Sequence, residues 1–314
     1  MRVLVTGGAG FIGSHIVDKL LQAGHRVAVL DDLSTGRREN LPRGVHLYPQ
    51  SLLDPGLPDL FEEVEPEVVF HQAAQVKVSR SLSDPAFDAR TNIEGSIRLL
   101  EACRATGTRK VVYASSAAVY GEPLTLPLPE DHPLTPLSPY GLSKLTVERY
   151  LALYYSLYGL KYAVLRYANV YGPRQDSSGE GGVVAIFAAR AVRGKPLVIY
   201  GDGTQTRDFV YVEDVAEANL LAAREDLPGQ LVVNVGGGKE CSISELAATC
   251  ARLAGCDLPR IHQAARPGEI KRSALDNRRA REVLGWQPRT PLSEGLRRTL
   301  DWYREQVVPV VPES

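Results

Sequence analysis

Tyr140 and Lys144 stand four residues apart in the stretch Ser138-Pro139-Tyr140-Gly141-Leu142-Ser143-Lys144. On a helix that spacing stacks both side chains on one face, one turn apart. Ser138 suits an N-cap and Pro139 suits a first turn, so a helix is expected to start here. A free phenol titrates near about 10, and a neighbouring ammonium favours its ionised form. The pair can therefore make a base out of a tyrosine. An ordinary surface helix can carry the same two residues, so their surroundings must decide.

A second stretch with chemical potential is Thr6-Gly7-Gly8-Ala9-Gly10-Phe11-Ile12-Gly13. It follows a buried strand, Val3 to Val5, and opens a helix over Phe11 to Ala23 with Ile12, Ile16, Leu20 and Ala23 as its apolar stripe. A second strand, Arg26 to Leu30, ends in Asp31-Asp32. Strand, glycine turn, helix, strand and acid together describe a dinucleotide site. Glycines let the backbone turn tightly against a pyrophosphate, the helix N-terminus offers N–H groups, and Asp31 can accept from ribose hydroxyls. A carboxylate at that point repels a 2′-phosphate, which favours NAD over NADP. Arg37 and Arg38, a little further on, read as a solvated loop.

These residues need a scaffold, and the rest of the first half supplies one. Strands are expected over 45–48, 67–70, 110–114 and 162–167, with helices over 87–106, carrying Asn92, and from Tyr140 to about Tyr158. Asp54, in Ser51-Leu52-Leu53-Asp54, can cap the next helix or touch an adenine. His71-Gln72-Ala73-Ala74 and Ser115-Ser116 follow strands, where small residues let a flat ligand lie against the backbone. The Pro- and Leu-rich loop over 122–139 suits the wall of a site. Strand–helix alternation gives a parallel sheet with helices on both faces and ligands beyond the carboxyl ends of its strands. The expected fold is α/β: a Rossmann-type doubly wound parallel sheet over residues 1–172, rejoined by 231–238, with a smaller C-terminal α/β substrate domain over 173–314. In that second part a helix is expected over 183–192 and a strand over 197–200. Ser242-Ile243-Ser244-Glu245 has capping-box spacing, and a last helix is expected over 291–303.

With 314 residues, 44% of them hydrophobic, the chain can bury a full core. Its formal charge of -1 and lack of a basic block argue against a nucleic-acid or membrane-surface role. Cys103, Cys241, Cys250 and Cys256 form no Cys-x-x-Cys pair and no His cluster joins them, so no metal is expected and free thiols are. The chain shows no signal peptide and no apolar run long enough to span a bilayer, which points to a cytoplasmic protein.

At this point the motifs resemble those of the extended short-chain dehydrogenase/reductases, and within them the nucleotide-sugar 4-epimerases. The strings that carry the resemblance are Thr6-Gly7-x-x-Gly10-x-x-Gly13, Ser115-Ser116-x-x-Val119-Tyr120-Gly121 and Tyr140-x-x-x-Lys144. To these add Arg166-Tyr167-Ala168-Asn169-Val170-Tyr171-Gly172-Pro173 and Arg207-Asp208-Phe209-Val210-Tyr211-Val212-Glu213-Asp214-Val215, so that nearly the whole chain is covered. The resemblance implies that Tyr140 is the base, that Lys144 lowers its pKa and binds the nicotinamide ribose, and that Ser116 hydrogen-bonds the reacting hydroxyl. It implies NAD as cofactor, held by Gly7, Gly10, Phe11, Ile12, Asp31, Asp32, Leu53, Asp54, Ala73, Ala74, Asn92, Tyr140, Lys144 and Tyr167. For Asn92 a purely structural hydrogen bond carries equal weight.

The resemblance also implies a UDP-sugar held by Ser116, Tyr140, Asn169, Val183, Arg207, Arg266, Glu269 and Ser273. Cations suit the diphosphate, and Glu269 suits ribose hydroxyls. Related dehydratases carry an Asp-Glu pair just after the catalytic hydroxyl, and decarboxylases a Glu. Here stand Ala117 and Ala118, which offer no general acid. That favours epimerisation at carbon 4 of UDP-glucose and UDP-galactose, through a 4-keto sugar, over dehydration, decarboxylation or net reduction. A non-catalytic dinucleotide sensor would have no need of the base. Relatives narrow for glucose and galactose often have a tyrosine where Ser273 stands, so N-acetylated UDP-sugars are expected to fit as well. The family pairs the helices of Asn92 and Tyr140 with their mates, which implies a homodimer.

Overall fold

The computed structural model describes residues 1–178, 182–255, 258–265 and 270–307. The first half runs β1 (Arg2–Thr6), α1 (Phe11–Gln22), β2 (Arg26–Leu30), β3 (His46–Tyr48), α2 (Leu57–Val64), β4 (Val68–His71), α3 (Val78–Ser83) and α4 (Pro85–Ala89). A wide π turn over Arg90–Glu94 then leads into α5 (Gly95–Ala105), β5 (Lys110–Ser116), α6 (Pro139–Tyr158) and β6 (Lys161–Tyr167). The second half begins with β7 (Asn169–Tyr171), α7 (Val183–Ala191), β8 (Leu197–Tyr200), β9 (Thr206–Arg207), β10 (Phe209–Tyr211), α8 (Val212–Ala222) and β11 (Gln230–Val235). It closes with β12 (Cys241–Ser242), α9 (Ile243–Ala254), β13 (Arg260–Gln263), α10 (Arg278–Leu284) and α11 (Leu292–Val307).

Seven of the strands form one parallel sheet in the order β11-β6-β5-β4-β1-β2-β3. The order reverses at β1, so a crevice opens between the carboxyl ends of β1 and β4, where ligands of such sheets bind. Alternate residues explain the burial of both faces. Val3, Val5, Phe70, Val112 and Leu165 pack under α1 and α8, whereas Leu4, Val69, Val111 and Val164 pack with Phe61, Leu99 and Leu151 on the other side. β11 joins the edge at β6 in the register Leu231 opposite Ala163 and Val235 opposite Tyr167, as the apolar run had led us to expect. A further core gathers Tyr171, Phe187, Leu246 and Leu300 among α7, α9 and α11.

Two local features differ from the sequence reading. The helix expected over 87–106 begins earlier, at Pro85, where the Asp84 carboxylate accepts the Phe87 N–H at 3.0 Å. It is also widened over Arg90–Glu94. β8 falls where a strand was expected, but its partner β13, the pair β7–β10 and the helix α8 carried no separate signal. α8 starts directly after β10 with no side-chain cap, so no local residue marks the change from strand to helix. Among the described residues no helix is long and apolar enough to cross a membrane.

Candidate functional site

The glycine turn closes on the end of β4. Gly7 sits at φ 67, and a Cβ on it would lie 2.7 Å from the Ala73 nitrogen. A Cβ on Gly13 would lie 2.0 Å from the Gly7 carbonyl oxygen, so helix α1 meets the turn backbone to backbone. No side chain caps α1 at Gly10 and its first turn carries no acid. The N–H groups of Phe11 and Ile12 are thus left for an anion. Asp31 ends β2 with Oδ2 accepting the Ala9 N–H and Oδ1 the Leu33 N–H, both at 2.9 Å. Burial pushes its pKa up and these bonds pull it down. Each oxygen keeps a lone pair for a ribose hydroxyl. Turn, helix end and carboxylate fit a dinucleotide.

Other members of the expected cofactor set are held by local bonds. Asp32 is exposed and accepts from the Ser34 N–H and hydroxyl. Asp54 Oδ1 accepts the Gly56 N–H at 2.8 Å just before α2, and the Leu53 carbonyl accepts from Arg98 at 3.0 Å. The Tyr167 phenol lies inside, bonded to Asn219 and Gln72.

Tyr140, Lys144 and Ser116 meet where α6 starts against the end of β5. Ser138 caps α6 by accepting the Gly141 N–H at 3.1 Å, with Pro139 in the first turn. Gly141 allows the approach, since a Cβ there would lie 2.5 Å from the Ala118 carbonyl oxygen. Lys144 is buried and donates to the Ala114 carbonyl at 2.8 Å, with its nitrogen 6.0 Å from the Tyr140 ring centroid. Burial pushes the ammonium down to about 8, against the charges of Asp88 and Glu148. The Tyr140 phenol is pushed up, first by burial and also by Asp88, while the Ser116 hydroxyl pulls it down. Desolvation thus opposes the ionisation that a neighbouring ammonium favours. Ala117 and Ala118 begin a short turn, where Ser116 Oγ accepts the Ala118 N–H.

Asn92 sits in the π turn, a feature often found at functional sites. Its Oδ1 accepts the Gln75 N–H at 2.8 Å, and its Nδ2 reaches the Gln75 carbonyl, Asp88 Oδ1 and Ser143 Oγ. It thereby ties the segment after Ala73-Ala74 to the Tyr140 helix. Below it the Ser96 hydroxyl donates to the Asn92 carbonyl at 2.5 Å. His71 Nε2 must then donate to Ser96, and its Nδ1 accepts from Thr6, whose oxygen takes the Ala73 N–H. This fixes His71 as a neutral imidazole in one tautomer. Neither His71 nor Asp88 stood out in the sequence, although Asp88 lies one helical turn from Asn92 and so on its face.

The second half brings fewer of its expected residues into view. Arg207 Nη1 donates to the carbonyls of Thr206 and Ile270, bracing the segment that leads to the half-buried Ser273. Asn169 is exposed with Nδ2 3.3 Å from the Asp208 carbonyl, and Val183 opens α7. Arg266 and Glu269 lie outside the described residues. Asp208 pins the glycines that follow β11. It is fully buried and accepts the N–H groups of Gly237, Gly238 and Leu275, and burial pushes it up to about 6. The glycines after β11 were the available signal, since a Cβ on Gly236 would lie 2.5 Å from Asp208 Oδ2. Among the described residues no cluster of three His, Cys, Asp or Glu could hold a metal ion.

This geometry has close counterparts. A UDP-glucose 4-epimerase of Mycolicibacterium smegmatis is 48% identical over 98% of this chain and 99% of its own. The crystal structure of the UDP-glucose 4-epimerase of Thermotoga maritima with UDP-glucose superposes with a TM-score of 0.95 at 46% identity, covering 98% of this chain and 100% of that one. The Thermus thermophilus UDP-glucose 4-epimerase, solved as a complex with NAD, gives 0.93 at 47% identity with the same coverage. Residues 3–236 match the NAD dependent epimerase/dehydratase family, and the chain belongs to it.

Proposed function

We propose that this protein interconverts UDP-glucose and UDP-galactose by epimerisation at carbon 4, with NAD bound in the crevice between β1 and β4. The observation that carries the reading is the meeting of Tyr140, Lys144 and Ser116 at the carboxyl end of β5, followed by Ala117 and Ala118 rather than an acid. Residues 1–172, with 231–238, hold the dinucleotide, and 173–314 cover the sugar nucleotide. Arg207 and Arg266 are suited to the diphosphate, Glu269 to the uridine ribose, and Asn169, Val183 and Ser273 to the sugar side. Gly7, Gly10, Phe11, Ile12 and Asp31 are suited to hold the dinucleotide, and Ala73 and Ala74 to lie against its flat face.

When bound, NAD supplies an acceptor and later a donor for the carbon 4 hydride, and its oxidised ring adds the positive charge that the buried phenol lacks. Tyr140 takes the proton of the sugar 4-hydroxyl, and Ser116 donates to the same oxygen. Lys144 holds its ammonium one turn below, fixed by the Ala114 carbonyl. The 4-keto sugar stays anchored through its nucleotide while its other face turns inward. Tyr140 then returns the proton. Binding energy comes from the nucleotide, which leaves the sugar free to turn. The small side chain of Ser273 leaves room for a 2-acetamido group.

Buried thiols at Cys103 and Cys250 are in keeping with a reducing cytoplasm. Exposed Leu142, Leu153, Leu157 and Tyr158 along α6 support a homodimer. The test is incubation with each of UDP-glucose, UDP-galactose and their N-acetyl forms, with products resolved by chromatography. Each should move toward a mixture of epimers with no net NADH. A folded, NAD-loaded preparation that leaves all four unchanged overturns the reading.

A further inference from the structure

Asp88 lies on α4, one turn before Asn92, and is 1% exposed. Its Oδ1 accepts from Gln75 Nε2 at 2.8 Å and from Asn92 Nδ2 at 3.2 Å. Its Oδ2 is buried and has no hydrogen-bond partner among the described residues. A buried carboxylate oxygen without a donor is costly, and native folds keep one only where something compensates it. The buried cation that feels its charge is the Lys144 ammonium, whose hydrogen-bond acceptor is a neutral carbonyl.

Gln75 shows what else the carboxylate does. The remaining bonds of its amide go to Lys77, with Nε2 donating to the Lys77 carbonyl and Oε1 accepting the Lys77 N–H. The segment after β4 is thus clamped to α4, while Asn92 reaches on to Ser143 of α6. We propose that Asp88 is a positioning residue of the reaction: the counter-charge that keeps Lys144 an ammonium, and the anchor of the Gln75–Asn92 pair. This rests on the epimerase reading.

The titratable groups around it are Tyr140, Lys144 and Glu148 on α6, Tyr113 on β5 and His71 on β4, with Lys77, Arg80 and Arg90 exposed on neighbouring segments. Glu148 also raises Lys144, behind Asp88, but it is paired with Arg166, and His71 is neutral, so neither makes the charge of Asp88 redundant. The field of Asp88 raises both Lys144 and Tyr140. Removing the charge lowers both, and the site needs an ionisable phenol and a charged lysine at once.

In Asp88→Asn, therefore, both limbs of the pH profile of kcat should move acidward by about one pH unit. Asp88→Ser also removes the charge and should shift the limbs the same way if the Asn variant is not recovered folded. Asp88→Glu keeps the charge and should leave the limbs in place while lowering kcat. A support of merely structural kind would lower rate or melting temperature and leave both limbs of every variant where they were, and that result overturns the inference. Wild-type protein inert toward every nucleotide sugar would instead remove the epimerase reading itself.

Discussion

Tyr140→Phe deletes one oxygen and leaves the α6 cap, Lys144 and the glycine turn intact. Turnover should fall by about 10²–10⁴-fold, the worth of a positioned proton-transfer group. Bound NAD, measured after its release by denaturation, should be unchanged. The Arg166–Glu148 pair behaves differently, being buried at 4% and 6% exposure with Ser115 and Tyr120 completing its bonds. Glu148→Ala leaves a guanidinium unpaired in the core and should cost about 3–5 kcal/mol in urea unfolding. The double variant Glu148→Leu with Arg166→Met should cost much less, since no charge stays behind. Acid stability has its own residue. Burial, aided by Lys144, drives His71 down to about 3, and burial drives His15 to about 4. Both are neutral in the fold, so their contribution is complete above about 6.5 and is lost as pH falls through these values. Asp208, raised to about 6 by burial, has the opposite sign: its share is full below about 4 and lost as pH rises through 6. Urea midpoints should therefore drop below pH 6, and His71→Gln should flatten that drop.

At the scale of elements, the site depends on how closely α6 approaches the turn after β5. Gly141→Ala would press a methyl against the Ala118 carbonyl, 2.5 Å away, and push Tyr140 from Ser116. A displacement of about 1 Å can cost about 10²-fold in kcat, measurable with little change in melting temperature. The α6 start was legible in the sequence because its signals are local: cap, proline, and a four-residue spacing. The glycine turn was legible for the same reason. Asp208 and His71 were not, since their partners lie far along the chain: Gly237, Gly238 and Leu275 for the first, Thr6 and Ser96 for the second. Nor was the π turn, whose extra residue breaks no apolar spacing strongly enough to show.

For the whole molecule, the parallel sheet with helices on both faces was legible from alternation and the return of β11 from an apolar run ending in glycines, whereas the strand order was not. What composition and period left open is the second layer, where two- to four-residue strands pair across long stretches. A homodimer through α6 predicts that Leu153→Glu with Leu157→Glu gives monomers in analytical ultracentrifugation; unchanged sedimentation would contradict that interface. A fragment of residues 1–172 lacks β11, leaving β6 as an unpaired edge and α1 without α8. It should be insoluble, which expression of the fragment tests directly.

The late arrival of β11 also bears on synthesis. The strand beside it, β6, leaves the ribosome more than sixty residues before its mate at Gln230–Val235. At about 5–20 residues per second, the nascent chain holds an incomplete layer for several seconds. During that interval the open flank of β6 is an unpaired strand edge, so slower translation of the intervening segment lengthens the time in which it can pair with another chain.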